Sequence, residues 1–191
     1  MAYGQSLSRG GTYARLAEPA WEDPLDTSHA KAAGGRWNLA GRYGALYLNA
    51  TVEVARIQVR HKLAGHPYGP EDLDPVEQHD LVWVDVPVRD WLDCVTETGL
   101  EAVGLPKSYP TGPTGETVPW ADCQGVGAQA FADGRVGVAC RSAATGAAVT
   151  DEELAVFETA VQMVTMRERV SFEQWWWGGA EAPSDDESVP T

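Results

Sequence analysis

Glycine and proline punctuate this 191-residue chain so often, at 20 and 12 positions, that no apolar run lasts more than a few residues. Runs that short make strands and brief helices. They do not make a membrane-spanning helix, which needs about 20 apolar residues. The length is that of one domain. It is enough to bury about two thirds of the unfolded surface, so the core needs no disulfide or metal. Cys94, Cys123 and Cys140 are odd in number and show no paired spacing. That argues against a disulfide framework or a structural zinc, and for a reducing, cytoplasmic setting. The opening string MAYGQSLSRGG has no apolar segment of the signal-peptide kind. Residues 1–11 are expected to be flexible and 178–191 to form a disordered acidic tail, leaving one domain over 12–177.

The net charge is −14, which counts against a nucleic-acid binder. It is unevenly spread: residues 1–64 carry +3 and residues 65–191 carry −17. An anionic small ligand is therefore expected on the N-terminal third. Most of the acidic surface reads as solvation only.

Several elements are legible. Leu46-Tyr47-Leu48 reads as a strand, and Thr51 as the N-cap of a helix running to about Leu63. Gly65 to Pro75 is a loop. Leu81 to Val88 is a β-branched run with a charge at Asp85 and reads as a strand, and Glu97 to Gly104 looks like a short helix. Pro106 to Pro119 is a long Gly/Pro/Thr loop, a candidate for binding. Trp120 to Ala132 reads as a helix and Arg135 to Ser142 as a strand. From Thr150 onward two readings stay open. Thr150-Asp-Glu-Glu153 imitates a capping box, yet Leu154 to Phe157 and Val164 to Phe172 suit strands.

The most distinctive string is Gly34-Gly35-Arg36-Trp37-Asn38. Paired glycines allow a sharp turn or a close approach to a ligand, and Arg36 with successive N–H groups suits a phosphate. A structural turn anchored by a buried Trp37 is the alternative. The string sits in a larger order. Arg15 lies 21 residues before Arg36, followed by Asp23-Pro-Leu25, the GGRWN string, Gly41, a strand bearing Tyr47 and the Thr51 helix. Downstream come Trp120-Ala-Asp-Cys-Gln-Gly-Val-Gly127, Val136 to Ala143, Leu154 to Phe157, and a closing segment through Trp175.

This order resembles the RES domain over about residues 12–177. RES domains are the toxins of Xre–RES toxin–antitoxin pairs. The resemblance implies an α+β fold, a single compact domain around a curved mixed β-sheet, ADP-ribosyltransferase-like. It implies NAD⁺ as substrate or ligand rather than as a resident cofactor. The reaction it implies is cleavage of the nicotinamide–ribose bond, by a glycohydrolase, phosphorylase or ADP-ribosyl-transfer route. The implied partner is an Xre-type antitoxin protein.

Such cleavage passes through an oxocarbenium-like state. It calls for an Arg on the pyrophosphate, an aromatic against nicotinamide and a carboxylate facing the developing charge. By the resemblance, Arg15, Tyr47 and Gln58 occupy the catalytic positions. Gly35, Arg36, Trp37, Asn38, Ala121 and Gln124 would bind substrate. Arg15 reads alternatively as a surface ion pair with Glu18 or Glu22, and Tyr47 as an ordinary strand aromatic.

Two family positions depart. Gln58, eleven residues after Tyr47, replaces the family Glu, and Ala121 replaces the family Ser. Glu53 lies about 140° around the helix from Gln58 and is no substitute. Asp122 is next door and Ser142 lies downstream, but neither is the matching residue. The departures imply an attenuated enzyme, a catalytically silent ligand-binding module, or a fold relative repurposed for another reaction. Restoring the charge by Gln58→Glu is expected to raise turnover of an attenuated enzyme. The four scattered His make no zinc motif. Trp175-Trp-Trp177 reads mainly as an aromatic cluster docking the chain end.

Overall fold

The structure, a computed structural model, describes residues 3–178 and 181–183. Strand β1 (Ser6–Ala17) pairs antiparallel along most of its length with β3 (Asp80–Cys94), from Ser6↔Leu92 to Ala17↔Asp80. Residues 6–11, expected to be flexible, are therefore part of the sheet. Expected mobility there misread a Gly-rich strand: the register shifts between Arg9 and Gly11, opposite Pro87. Proline cannot donate to the ladder, and a bulge accommodates it. That irregularity lets β3 continue past Val88, where the β-branched run ends.

Strands β2 (Ala45–Asn49), β4 (Gly137–Arg141), β5 (Glu152–Phe157) and β6 (Thr165–Val170) complete a mixed six-stranded sheet in the order β1-β2-β5-β4-β3-β6. Only β3 and β4 run parallel. Because β1 pairs with both β2 and β3, five strands curl into a ring and β6 extends it along β3. The segment left open after Thr150 resolves as β5, a 3₁₀ turn (Glu158–Met163) and β6.

The helices are short. Helix α1 (Ser28–Ala33) ends at Gly34, whose φ of 77° suits glycine. Helix α2 (Val52–Lys62) starts where Thr51 accepts a hydrogen bond from the Val54 N–H at 3.2 Å. Helix α3 (Glu97–Ala102) is capped likewise by Thr96, and buried Asp93 accepts the Val95 and Thr96 N–H groups at 2.9 Å each. Helix α4 (Trp120–Ala132) covers one face of the sheet, and α5 (Phe172–Gly178) closes the domain. Gly178, the first residue of the expected acidic tail, ends α5. Apart from 181–183, the rest of that tail lies outside the described residues.

Three apolar clusters fill the domain. One lies between sheet and α4, around Trp37, Tyr109 and Phe157. A second holds Leu46, Leu48, Trp91, Leu154 and Val156. A third joins Ala55 and Val59 of α2 to Trp83, Phe172 and Trp175. Trp175 is fully buried and donates to the His79 carbonyl at 2.9 Å, and Trp176 packs beside it, so these two dock the chain end on the core while Trp177 stays exposed. The 106–119 loop is tied down. Buried Arg141 donates to the carbonyls of Val95, Lys107 and Tyr109 at 2.7, 2.9 and 3.0 Å.

His79 lies just before β3, between α2 and α5. Its Nε2 meets Lys62 Nζ at 2.9 Å. Burial, with Lys62 alongside, lowers its pKa from 6.5 to about 4. The ring is neutral in the fold and protonates more readily when unfolded. Its contribution to stability is therefore whole above pH 6.5 and is lost as pH falls toward 4, by about 2 kcal/mol after allowing for solvent screening. Urea unfolding at pH 7 and pH 4 is expected to show a smaller acid loss for His79→Asn than for wild type. Equal losses would refute the assignment.

Candidate functional site

The GGRWN string forms a tight loop between α1 and β2. Gly35 and Asn38 bridge through their backbones at 3.0 and 3.4 Å. A side chain at Gly35 would place its Cβ 2.5 Å from the Tyr47 hydroxyl, so only glycine fits there. That hydroxyl accepts from the Trp37 N–H and donates to Asn38 Oδ1, each at 2.9 Å. Asn38 in turn donates to the Ala30 and Tyr43 carbonyls at 2.7 and 3.1 Å. Gln124 of α4 donates to the Gly35 carbonyl at 2.9 Å. Trp37 and Asn38 are buried. Of the residues proposed to bind substrate, Trp37, Asn38 and Gln124 thus build and hold the loop. Gly35, Arg36 and Trp37 line an adjoining cavity.

Two cavities flank the Tyr47 ring. One, of about 340 Å³, is lined by Arg15, Trp21, Asp26, Tyr47, Gln58 and Glu153, among others. The other, of about 500 Å³, is lined by Arg36, Tyr47, Gln58, Tyr109, Arg141 and Glu153, among others. Tyr47, Gln58, Lys62 and Glu153 form their common wall. Arg15, Tyr47 and Gln58 are therefore brought together. Arg15 and Arg36 are not: they line different cavities. Ala121 is exposed on α4 and lines neither.

Arg15 is buried, with 7% of its surface exposed. Its Nε has no partner, and Nη2 makes only a long contact of 3.5 Å to the Asp26 carbonyl. Its guanidinium stands 5.5 Å from the Trp21 ring centre. Burial lowers its pKa to about 10, with Asp23 and Asp26 opposing that shift. Neither Glu18 nor Glu22 pairs with it among the described residues. A buried cation with so few partners is a ready anion site. Arg36 is already engaged. It donates to the Val118 carbonyl at 3.1 Å and lies 5.8 Å from the Trp120 ring centre.

On α2, Gln58 follows buried Val54 and Ala55 by one turn and shares their inward face. Its Nε2 donates to Glu153 Oε1 at 2.5 Å and lies 3.4 Å from Ser142 Oγ. Glu53 faces outward, toward Arg56 and Arg60 at 3.5 and 3.7 Å. Ser142 and Glu153 were not among the sequence candidates. Ser142, buried just past β4, is the serine that reaches this site. Glu153, between Asn49 of β2 and Cys140 of β4, presents a half-buried carboxyl at the shared wall. Burial raises its pKa, while hydrogen bonds from Ser142 and Gln58 and the charge of Arg36 act the other way. Among the described residues no His/Cys/Asp/Glu group could hold a metal ion, and no helix is long and apolar enough to cross a membrane.

A curved mixed sheet carrying a cleft with a buried arginine defines a single-domain α+β protein. The RES domain family matches residues 12–177, and the chain belongs to that family. Its fold is similar to a chain in the crystal structure of the M. tuberculosis MbcT–MbcA toxin–antitoxin complex. The TM-score is 0.70 at 23% identity, covering 87% of this chain and 86% of that one. No curated protein matches the chain in sequence.

The Tyr47 hydroxyl serves the loop, so its loss is expected to show in stability. Tyr47→Phe leaves the Trp37 N–H and Asn38 Oδ1 short of a partner, at a cost of about 1–3 kcal/mol. Urea denaturation is the measurement. A loss under about 0.5 kcal/mol would mean water replaces the hydroxyl and the loop does not depend on it.

Proposed function

We propose that this chain binds NAD⁺ in the paired cavities and cleaves its nicotinamide–ribose bond. The observation that supports this most is Arg15, a buried guanidinium nearly free of protein partners, opening on a cleft in a RES domain. It is suited to the pyrophosphate, which would supply the charge-assisted hydrogen bonds the protein withholds. The Tyr47 ring, its hydroxyl fixed by the loop, offers a rigid wall against which a nicotinamide can stack. The total cleft, two cavities sharing that wall, is of a size for a dinucleotide. Water, phosphate or another nucleophile would take the ADP-ribosyl group. An Xre-type antitoxin is the partner this reading expects, covering the cleft. A second reading is supported by neutral Gln58 at the family's carboxylate position: the same pocket binds NAD⁺ without turning it over.

Calorimetry with NAD⁺, together with chromatography for released nicotinamide, tests both. Arg15→Met is expected to weaken NAD⁺ binding by roughly 10- to 100-fold, the loss of a charge-assisted contact. It is also expected to raise the thermal midpoint, because it removes an uncompensated buried charge. A gain of 1 kcal/mol corresponds to about 2–4 °C at this size. Unchanged affinity would remove Arg15 from the binding site. Binding by wild type with no nicotinamide released would leave the silent module as the reading.

A further inference from the structure

The family position for a helix carboxylate holds an amide here, yet the cleft is not without a carboxylate. Glu153 Oε1 meets Gln58 Nε2 at 2.5 Å and lies on the wall shared by both cavities. Its neighbour Glu152 projects to the other face of β5 and is paired with Arg9 at 2.8 Å. Glu153 forms no salt bridge among the described residues. Its hydrogen bonds come from neutral donors, the Gln58 amide and the Ser142 hydroxyl, with the charge of Arg36 acting without a direct contact. Burial raises the carboxyl's pKa; these donors and the charge of Arg36 oppose that rise, and the donors fix its direction. The cleft thus contains a buried cation, Arg15, and a carboxylate, Glu153, neither in a direct ion pair among the described residues, with Asp23 and Asp26 near the first and Arg36 near the second. NAD⁺ is the matching guest, with an anionic pyrophosphate and a cationic nicotinamide riboside.

We propose that Glu153, delivered from β5, is the catalytic carboxylate of this site, with Gln58 and Ser142 as the positioning residues that aim it. This rests on the NAD⁺-cleaving reading above. In the step it serves, the bond between the nicotinamide nitrogen and ribose C1′ breaks. The electron pair goes to the nitrogen, which becomes neutral. Positive charge develops on C1′ and the ring oxygen, facing the ionised Glu153 carboxylate. Water then adds its oxygen to C1′ and releases one proton to solvent, giving ADP-ribose and nicotinamide. The carboxylate interacts more strongly with the spread charge of the transition state than with the ground state, which is what accelerates the step.

The test exchanges the two groups. Glu153→Gln is expected to fold, to bind NAD⁺ within about threefold of wild type, and to release nicotinamide about 100-fold more slowly or worse. The double variant Glu153→Gln with Gln58→Glu keeps one amide and one carboxylate in contact with their places reversed. It is expected to recover turnover to within about tenfold of wild type. Gln58→Glu alone sets two carboxylates against each other, so it is expected to give no gain, contrary to the reading of that position by itself. Wild-type turnover in Glu153→Gln overturns the assignment and leaves the NAD⁺-cleaving reading intact. A folded, NAD⁺-binding double variant as slow as the single one also overturns it. Wild type that binds NAD⁺ but releases no nicotinamide overturns both.

Discussion

The hydroxyl of Tyr47 joins what would otherwise be separate parts. Through one oxygen it fixes the Trp37 N–H and the Asn38 side chain, and through Asn38 the end of α1 and the Tyr43 carbonyl. The hydroxyl is buried enough that its pKa is pushed above the ordinary tyrosine value, so it stays a neutral donor and acceptor. Gly35 passes so close to it that no side chain fits between. The consequence is a ring fixed through its hydroxyl, packed against the core and part of the wall common to both cavities. Loop, strand and cleft wall are one hydrogen-bonded unit, and the site's shape follows from it.

Against that rigid wall stand two groups whose charges the protein leaves unmatched. A buried guanidinium without a carboxylate costs stability, and so does a half-buried carboxylate held only by neutral donors. Other ionic side chains of the domain are treated differently. Arg9 pairs with Glu152, Arg169 with Asp80, and Arg141 is saturated by carbonyls. Buried Asp93 is also held by neutral donors, but it caps the turn into α3, whereas the two cleft charges face open cavities. Structure alone gains nothing from that arrangement, whereas a ligand carrying both signs would.

Much of the fold was legible because its local signals are strong. Thr51 and Trp120 mark helix starts where the structure has them, and Leu46 to Leu48 is buried strand. Two stretches were not. Ser6 to Gly11 looks like a mobile Gly-rich start because its pairing depends on β3, some 80 residues away, and strand pairing at that range leaves no local mark. Thr150 to Glu153 carries the residues of a helix cap, and only the pairing of Leu154 to Phe157 with β2 and β4 makes it strand. That ambiguity hid part of the site. As a capping residue, Glu153 has its carboxylate occupied at a helix start. As the second residue of a strand, it stands in the cleft.

The same reasoning explains why motif positions lost track of the charge. Glutamate and glutamine have the same length and nearly the same shape. Where their side chains touch head to head across α2 and β5, exchanging them preserves volume and a hydrogen bond and moves one negative charge by only a few ångströms. Along the chain, though, it moves from Gln58 to Glu153, 95 residues away. A comparison position by position records a missing carboxylate on the helix and an unremarkable acid on a strand. The cleft registers only that a carboxylate still stands beside Tyr47. Electrostatic stabilisation depends on where charge lies relative to the reacting atoms and not on which element carries it. The pair, rather than either residue, is therefore the unit on which the proposed activity of this site turns.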